Sequence, residues 1–281
     1  MINNQINISD LHKNIFTILN DKKINQSSSE ANIIISEVAK VKNYKKLSDI
    51  NFKKLNLIIR ERLKGKPLAK IINKKGFWKE IFFTNEFTLD PRADSEVLIE
   101  SVLEDFSNFK KQKIKFIDLC SGTGCLGISI LNEFINSECL FMDICNHALN
   151  VNKINCKNLN VINKSTFLKS DLFMNFKNNI NDFKFIICNP PYIISEDIVK
   201  LDKDTSYDPV IALDGGEKGY KFYQLIISQL INMDYKNSIY FEIDPKIKKN
   251  VLKLAMDNNL KVLYTKKDYL KLDRLIKISF H

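Results

Sequence analysis

The chain has 281 residues, 44% of them hydrophobic, with 43 Lys and Arg against 33 Asp and Glu. That length holds one large α/β domain and a smaller one; no run approaches the ~18 apolar residues that cross a bilayer, so no membrane partner is expected and the location follows as cytoplasmic. The net charge of +10 raises affinity for phosphates, but the lysines are scattered, so nucleic-acid contact is expected to be weak and non-specific.

The opening stretch MINNQINISDLHKN lacks the charged-then-apolar layout of a secretion signal. Residues 1–75 read as a small helical domain. Ser stands at capping positions ahead of helically spaced apolar residues in SDLHKNIFTILN and SSSEANIIISEVAKV, and SDINFKKLNLIIRERLKG ends at Gly65 before Pro67, a stop signal. Residues 76–93 form a linker, where FWKEIFFTNEFTL suits a β-hairpin turning at the polar TNE.

From Asp94 a helix, DSEVLIESVLEDF, opens the third segment, 94–281. Apolar runs then alternate with amphipathic ones: IKFIDL, CLGISILNEFI, ECLFMDI, HALNVNKINCKNL, FKFIIC, YKFYQLIISQLI, SIYFEI, PKIKKNVLKLAMDN. This is the pattern of a parallel sheet covered on both faces, with ligands bound at the carboxyl ends of its strands. KVLYT and LIKISF are too close together for a helical crossover and are expected to pair antiparallel at a sheet edge. The six cysteines (Cys120, Cys125, Cys139, Cys145, Cys156, Cys188) contain no C-x-x-C pair and read as reduced core residues, with neither disulfides nor metal expected.

FIDLCSGTGCLGISI runs from a strand through Asp118, Ser121, Gly122, Thr123 and Gly124 into a helix, so glycines bring a ligand close to free N–H groups. About 20 residues on, CLFMD ends in Asp143, where an acidic side chain accepts from ribose hydroxyls. The pair favours an adenosine-bearing cofactor, but the loop lacks the G-x-G-x-x-G of a dinucleotide site.

DLCSGTG instead resembles the first motif of class I S-adenosylmethionine-dependent methyltransferases, D-x-G-x-G-x-G, with Cys120 in place of the first Gly. This class implies that Asp171 in LKSDLF lies near the adenine amino group, with Leu172 beside it. It also implies a Rossmann-like sheet, mostly parallel with an antiparallel edge strand, which joins the small helical N-terminal domain already read from residues 1–75. NPPY, at Asn189, Pro190, Pro191 and Tyr192 after the fourth strand, resembles the motif of methyltransferases acting on planar nitrogens. The acceptor is then an adenine or cytosine amine or a glutamine amide, with Asn189 facing both acceptor and cofactor. The Asn189 side-chain oxygen and the Pro190 carbonyl accept the two N–H groups of the –NH2, the prolines stiffen the loop, and Tyr192 packs on the flat group.

Nearly the full chain resembles the release factor glutamine methyltransferase family. RLKGKPLAKII and the FW pair at 77–78 match its early segments. LDPRADSEVLIE is similar to I-P-R-P-(D/E)-T-E-x-L-V-E at Pro91, Arg92, Asp94 and Glu96, with Ser95 for Thr, and departs at Asp90 and Ala93. YDPVIALDGGEKGYKFYQLI keeps Pro209, Ala212, Leu213, Gly215, Gly216, Gly219 and Tyr223, with Asp208 for Glu; YFEID resembles the closing E-I-G and DYLKLDRLIKI the D-x-x-G-x-D-R segment.

The resemblance implies N5-methylation of the glutamine in the Gly-Gly-Gln motif of class 1 peptide chain release factors, with S-adenosyl-L-methionine as donor. Arg92 and Glu96 then help close the cofactor pocket, and the N-terminal domain recognises the protein substrate. A ribosomal-protein glutamine is the nearest alternative acceptor, followed by adenine N6 of a nucleic acid, and a silent binding module is the alternative outside enzymes.

Overall fold

The computed structural model describes residues 7–109 and 112–281; the first six residues, part of the stretch read for a leader, lie outside it. The chain divides into two compact units, Met1–Asn73 and Lys74–His281, so the hairpin falls in the second.

The first unit contains α1 (Ile8–Asp21), α2 (Ser27–Val38), α3 (Phe52–Leu63) and the short α4 (Leu68–Ile72). Leu11, Ile15 and Leu19 recur four apart along α1 and are buried against Ile34 and Ile35 of α2 and Leu55 and Ile58 of α3. Serines do not cap these helices as their positions suggested. Asn7 caps α1 and Asn51 caps α3, each side chain accepting a backbone N–H three residues on, from Asp10 and Lys54. Gln26 precedes α2 in the left-handed region, and the Ser27 hydroxyl donates back to the Ile24 carbonyl. Arg62 of α3 is buried and grips Glu30 of α2 through Nε and Nη2 at 2.8 and 3.1 Å.

The second unit opens with β1 (Lys74–Phe77) and β2 (Glu80–Phe83), paired antiparallel with Phe77 opposite Glu80. The hairpin therefore turns at Trp78–Lys79 and not at TNE, with Trp78 at φ +55°. Thr84 is instead buried, and its hydroxyl donates to Asp90 Oδ1 at 2.6 Å, so the chain continues inward where a polar break suggested a reversal.

The remaining elements are α5 (Glu96–Asp105), β3 (Lys115–Leu119), α6 (Cys125–Glu133), β4 (Glu138–Asp143), α7 (Asn146–Asn158), β5 (Ser165–Lys169), β6 (Phe185–Cys188), α8 (Lys221–Asn232), β7 (Ser238–Glu242), α9 (Lys248–Asp257), β8 (Lys261–Lys267) and β9 (Asp273–Ser279). One seven-stranded sheet has the order β5-β4-β3-β6-β7-β9-β8. β3 to β7 are parallel, and β9 pairs antiparallel with both β7 and β8.

Alternate residues of each strand feed two cores. Ile117, Leu119, Ile186, Ile239 and Phe241 face one, with residues of α8 and α9. Phe116, Phe185, Ile187 and Tyr240 face the other, with residues of α5 and α6. Each such side chain contributes about 1.5–3 kcal/mol by leaving water. The strand order reverses between β3 and β6, which opens a crevice beyond their carboxyl ends.

One buried amide ties this crevice to the hairpin. Asn155 of α7, 1% exposed, accepts from Phe83 N at 2.7 Å and donates to the carbonyls of Phe83 and Thr123, both at 2.9 Å. Asn155→Ala leaves one buried and two half-buried backbone groups without this partner and is expected to cost about 1–3 kcal/mol in urea unfolding.

Candidate active site

A cavity of about 130 Å³ opens at the carboxyl ends of β3, β4, β5 and β6. Its wall includes Ser121, Gly122 and Thr123 after β3, Asp143 ending β4, Asp171 and Leu172 after β5, Asn189 and Pro191 after β6, and Arg92 and Ser95 before α5. Four other sequence-selected residues stand outside that lining. Gly124 begins α6 at φ +78°, where a Cβ would come within 2.3 Å of Asn152 Oδ1. Pro190 is buried between two lining residues, Asn189 and Pro191. Glu96 accepts from Trp78 N at 2.7 Å and so holds the hairpin turn. Tyr192 is also absent from the lining: its hydroxyl points to the buried Glu242, donating to Oε1 at 3.1 Å.

The loop after β3 is fixed on all sides. Ser121 N donates to the Met142 carbonyl at 3.0 Å, and Asn152 of α7 donates to Ser121 Oγ at 3.2 Å. Asp118, fully inside β3, accepts from Gly127 N at 2.9 Å and ties strand to helix; burial raises its carboxyl well above the aspartate range. Cys120 takes φ +59°, so the turn is reached with a Cβ present, at a strain of about 1–2 kcal/mol. Gly122, at φ +50°, has nothing within 4 Å of where a Cβ would stand, which leaves its backbone open to a ligand.

Asp143 accepts from Gly122 N and Cys145 N, both at 2.8 Å. Burial pushes its carboxyl above the ordinary range, against the pull of these N–H groups. Arg92 pairs with the buried Asp208 at 2.5 Å, and Asp208 also accepts from Asp90 N at 3.2 Å. Asp90 and Asp208, both departures from the family pattern, thus belong to one buried network beside the wall. Phe87, unremarked in the sequence, lines the cavity and stacks on His147 with ring centroids 4.4 Å apart.

The sequence reading also missed Glu242. It ends β7 after the apolar run Ile239–Phe241, is 1% exposed, and its Oε2 has no hydrogen-bond partner among the described residues. Burial raises its carboxyl to about 7, opposed by the Ser95 hydroxyl beside it, by Arg274 and by Tyr192. A charged residue closing a buried strand that points at the cavity was the available signal.

A glycine loop, an acidic strand end and an Asn-Pro-Pro strand end, gathered around one crevice of a Rossmann-like sheet, define a methyltransferase of the class I type. The methyltransferase small domain family matches residues 91–202. The hMettl16 catalytic domain, crystallised in complex with MAT2A 3'UTR hairpin 1, shares the fold at a TM-score of 0.62 and 14% identity, over 95% of this chain and 91% of that one. A release factor glutamine methyltransferase of Mycoplasma mycoides subsp. mycoides SC is 33% identical over 276 residues, 92% of this chain and 96% of the relative. One from Clostridium acetobutylicum is 33% identical over 222 residues, 78% and 76% of the two chains. The chain belongs to the release factor glutamine methyltransferase family. No helix among the described residues is long and apolar enough to cross a membrane.

The raised Glu242 carboxyl sets a direction for stability against pH. Its protonated form contributes stability that is complete below the ordinary glutamate value of 4.5 and is lost as pH rises through about 7. Glu242→Gln should therefore match the wild type near pH 4.5 and exceed it increasingly up to pH 8, by on the order of 3 kcal/mol, read from melting temperatures across that range.

Proposed function

We propose that the chain transfers a methyl group from S-adenosyl-L-methionine to the side-chain amide nitrogen of the glutamine in the Gly-Gly-Gln motif of class 1 peptide chain release factors. The observation that carries this reading is that Asn189 and Pro191 share one cavity wall with the glycine loop and Asp143, in a chain of this family.

The wall fits the donor. Gly122 has no side chain to obstruct close approach, Asp143 keeps acceptor lone pairs for ribose hydroxyls beyond those held by the two N–H groups, and Leu119, Leu126 and Met142 supply apolar surface. Asp171 is exposed at the end of β5, where it accepts from an adenine amino group, with Leu172 beneath. When bound, the donor supplies an electrophilic sulfonium methyl and departs as S-adenosylhomocysteine.

An amide nitrogen is a poor nucleophile because its lone pair is delocalised into the carbonyl. The Asn189 side-chain oxygen and the Pro190 carbonyl each accept one N–H of the glutamine –NH2, and this fixes the nitrogen with its lone pair toward the methyl. Two consecutive prolines hold that carbonyl in place. The proton becomes acidic only as positive charge develops on nitrogen, so no strong base is needed beforehand. Tyr192 stiffens the loop from below through Glu242. The helical unit recognises the protein substrate, on the strength of the full-length resemblance.

The test is incubation with methyl-labelled S-adenosylmethionine and a release factor, with and without Gln→Ala in its Gly-Gly-Gln. Label is expected on the wild-type factor and absent from the variant. Label that persists on the Ala variant, or that appears on a ribosomal protein instead, contradicts the assignment. Asn189→Ala should lower kcat by about 100-fold or more, while calorimetry shows cofactor affinity changed by less than about threefold.

A further inference from the structure

We propose that Phe87 is a donor-binding residue whose ring stacks on the adenosine of S-adenosyl-L-methionine. This rests on the donor placement given above, with Asp143 at the ribose, and is independent of which acceptor is methylated.

The polar TNE stretch, residues 84–86, is not the turn of the hairpin, but it builds another turn that carries Phe87. Asn85 Oδ1 accepts from Phe87 N at 3.0 Å, and the Asn85 carbonyl accepts from Thr88 N at 3.3 Å. Thr84 and Thr88 are buried with their hydroxyls 3.1 Å apart, and Thr84 also donates to Asp90 at 2.6 Å. The backbone on either side of Phe87 is therefore tied down by polar side chains, as the short Asx-type turn requires. The ring between them lines the cavity and is left 38% exposed. Full burial of such a ring would gain about 1.5–3 kcal/mol, and here part of that surface stays open.

His147 fixes which end of the cavity the ring occupies. Its imidazole stacks on Phe87 with centroids 4.4 Å apart and planes 20° apart. His147 lies in the first turn of α7, four residues after Asp143, and Cys145 between them donates its N–H to Asp143 Oδ1 at 2.8 Å. Phe87 thus stands by the turn from β4 into α7, next to the carboxylate that takes the ribose. β4 lies between β5 and β3 in the sheet, whereas Asn189 follows β6 on the far side of β3. The ring is placed for the adenosine, and the reacting methyl lies toward Asn189.

The ring has two faces, and His147 covers one. The exposed surface is therefore on the side turned away from the imidazole. Adenine presents a flat π face that stacks offset on an aromatic ring, and removing the ring from such a stack costs about 1–3 kcal/mol. The strand ends here otherwise offer aliphatic surface, Ile144 after β4 and Leu172 after β5. Phe222, the other ring of the lining, is half-buried in the first turn of α8 and packed against the core.

The experiment measures affinity by calorimetry, with no acceptor present, for wild type, Phe87→Ala and Phe87→Tyr. Each is titrated with S-adenosylmethionine and with S-adenosylhomocysteine. Phe87→Ala should weaken both ligands by the same factor, about tenfold, and Phe87→Tyr, which keeps the ring, should stay within about twofold of the wild type. In the wild type, saturating S-adenosylhomocysteine should move the Phe87 ring-proton NMR signals upfield, the direction that a stacked purine imposes.

An affinity for S-adenosylhomocysteine within about twofold of wild type in Phe87→Ala, or Phe87 ring signals that saturation leaves unmoved, overturns the proposal. So does a loss confined to S-adenosylmethionine, since only that ligand carries the sulfonium charge and the ring would then face the charge and not the adenosine. Failure of the wild type to methylate a release factor sinks the acceptor assignment alone, because none of these readings uses an acceptor.

Discussion

The parallel pairing of β3 with β6 is the constraint on which the site depends. Leu119 stands opposite Cys188, so the glycine loop and the Asn-Pro-Pro turn start at the same height on neighbouring strands, about 4.8 Å apart. Loops after sequentially distant strands are brought side by side because the strand order reverses there. Both strands are buried on both faces, so a one-residue slip would put the wrong side chains into each core, and register is strongly held.

Buried polar groups then convert that placement into fixed geometry. Asp118 locks β3 to α6, Asn152 and Asn155 lock the glycine loop to α7 and the hairpin, and Asp208 holds Arg92 on the wall. On the other side Glu242 lies beneath Tyr192 and Ser95. Each is costly to bury and holds a segment beside the cavity. The glycine loop is held by a set of buried hydrogen bonds. On the side of the Asn-Pro-Pro-Tyr turn, the Glu242 carboxylate has one oxygen lacking a hydrogen bond among the described residues.

What the sequence reveals follows from locality. Period-two and helical patterns, the glycine loop and the Asn-Pro-Pro-Tyr turn are short-range signals, and the antiparallel pairing of the last two strands follows from a connection too short for a crossover. The hairpin turn was misplaced because its turning residue is a Trp at positive φ, a position that ordinarily selects Gly or Asn, whereas the polar TNE that looked like a turn contributes a buried Thr84. The start of α1 was misread because Asn7 competes with the nearby Ser9, and propensity ranks the two almost equally. Glu96 and Tyr192 lie in motif positions, yet their partners, Trp78 N and Glu242, are distant in the chain. Glu242 was not selected as a site residue because a charge at the end of an apolar run ordinarily marks solvent, and only the position of that strand end beside the cavity says otherwise.

The proposal at the centre of this account is that two neighbouring strand ends hold a glutamine amide against a methyl donor, with the Asn189 side-chain oxygen and the Pro190 carbonyl as the paired acceptors. The most direct measurement is a crystal structure of the chain with S-adenosylhomocysteine and a peptide containing Gly-Gly-Gln. The account predicts the glutamine –NH2 within hydrogen-bond distance of both oxygens, its nitrogen facing the sulfur. A glutamine bound elsewhere, or one facing Asn189 Nδ2, would contradict it.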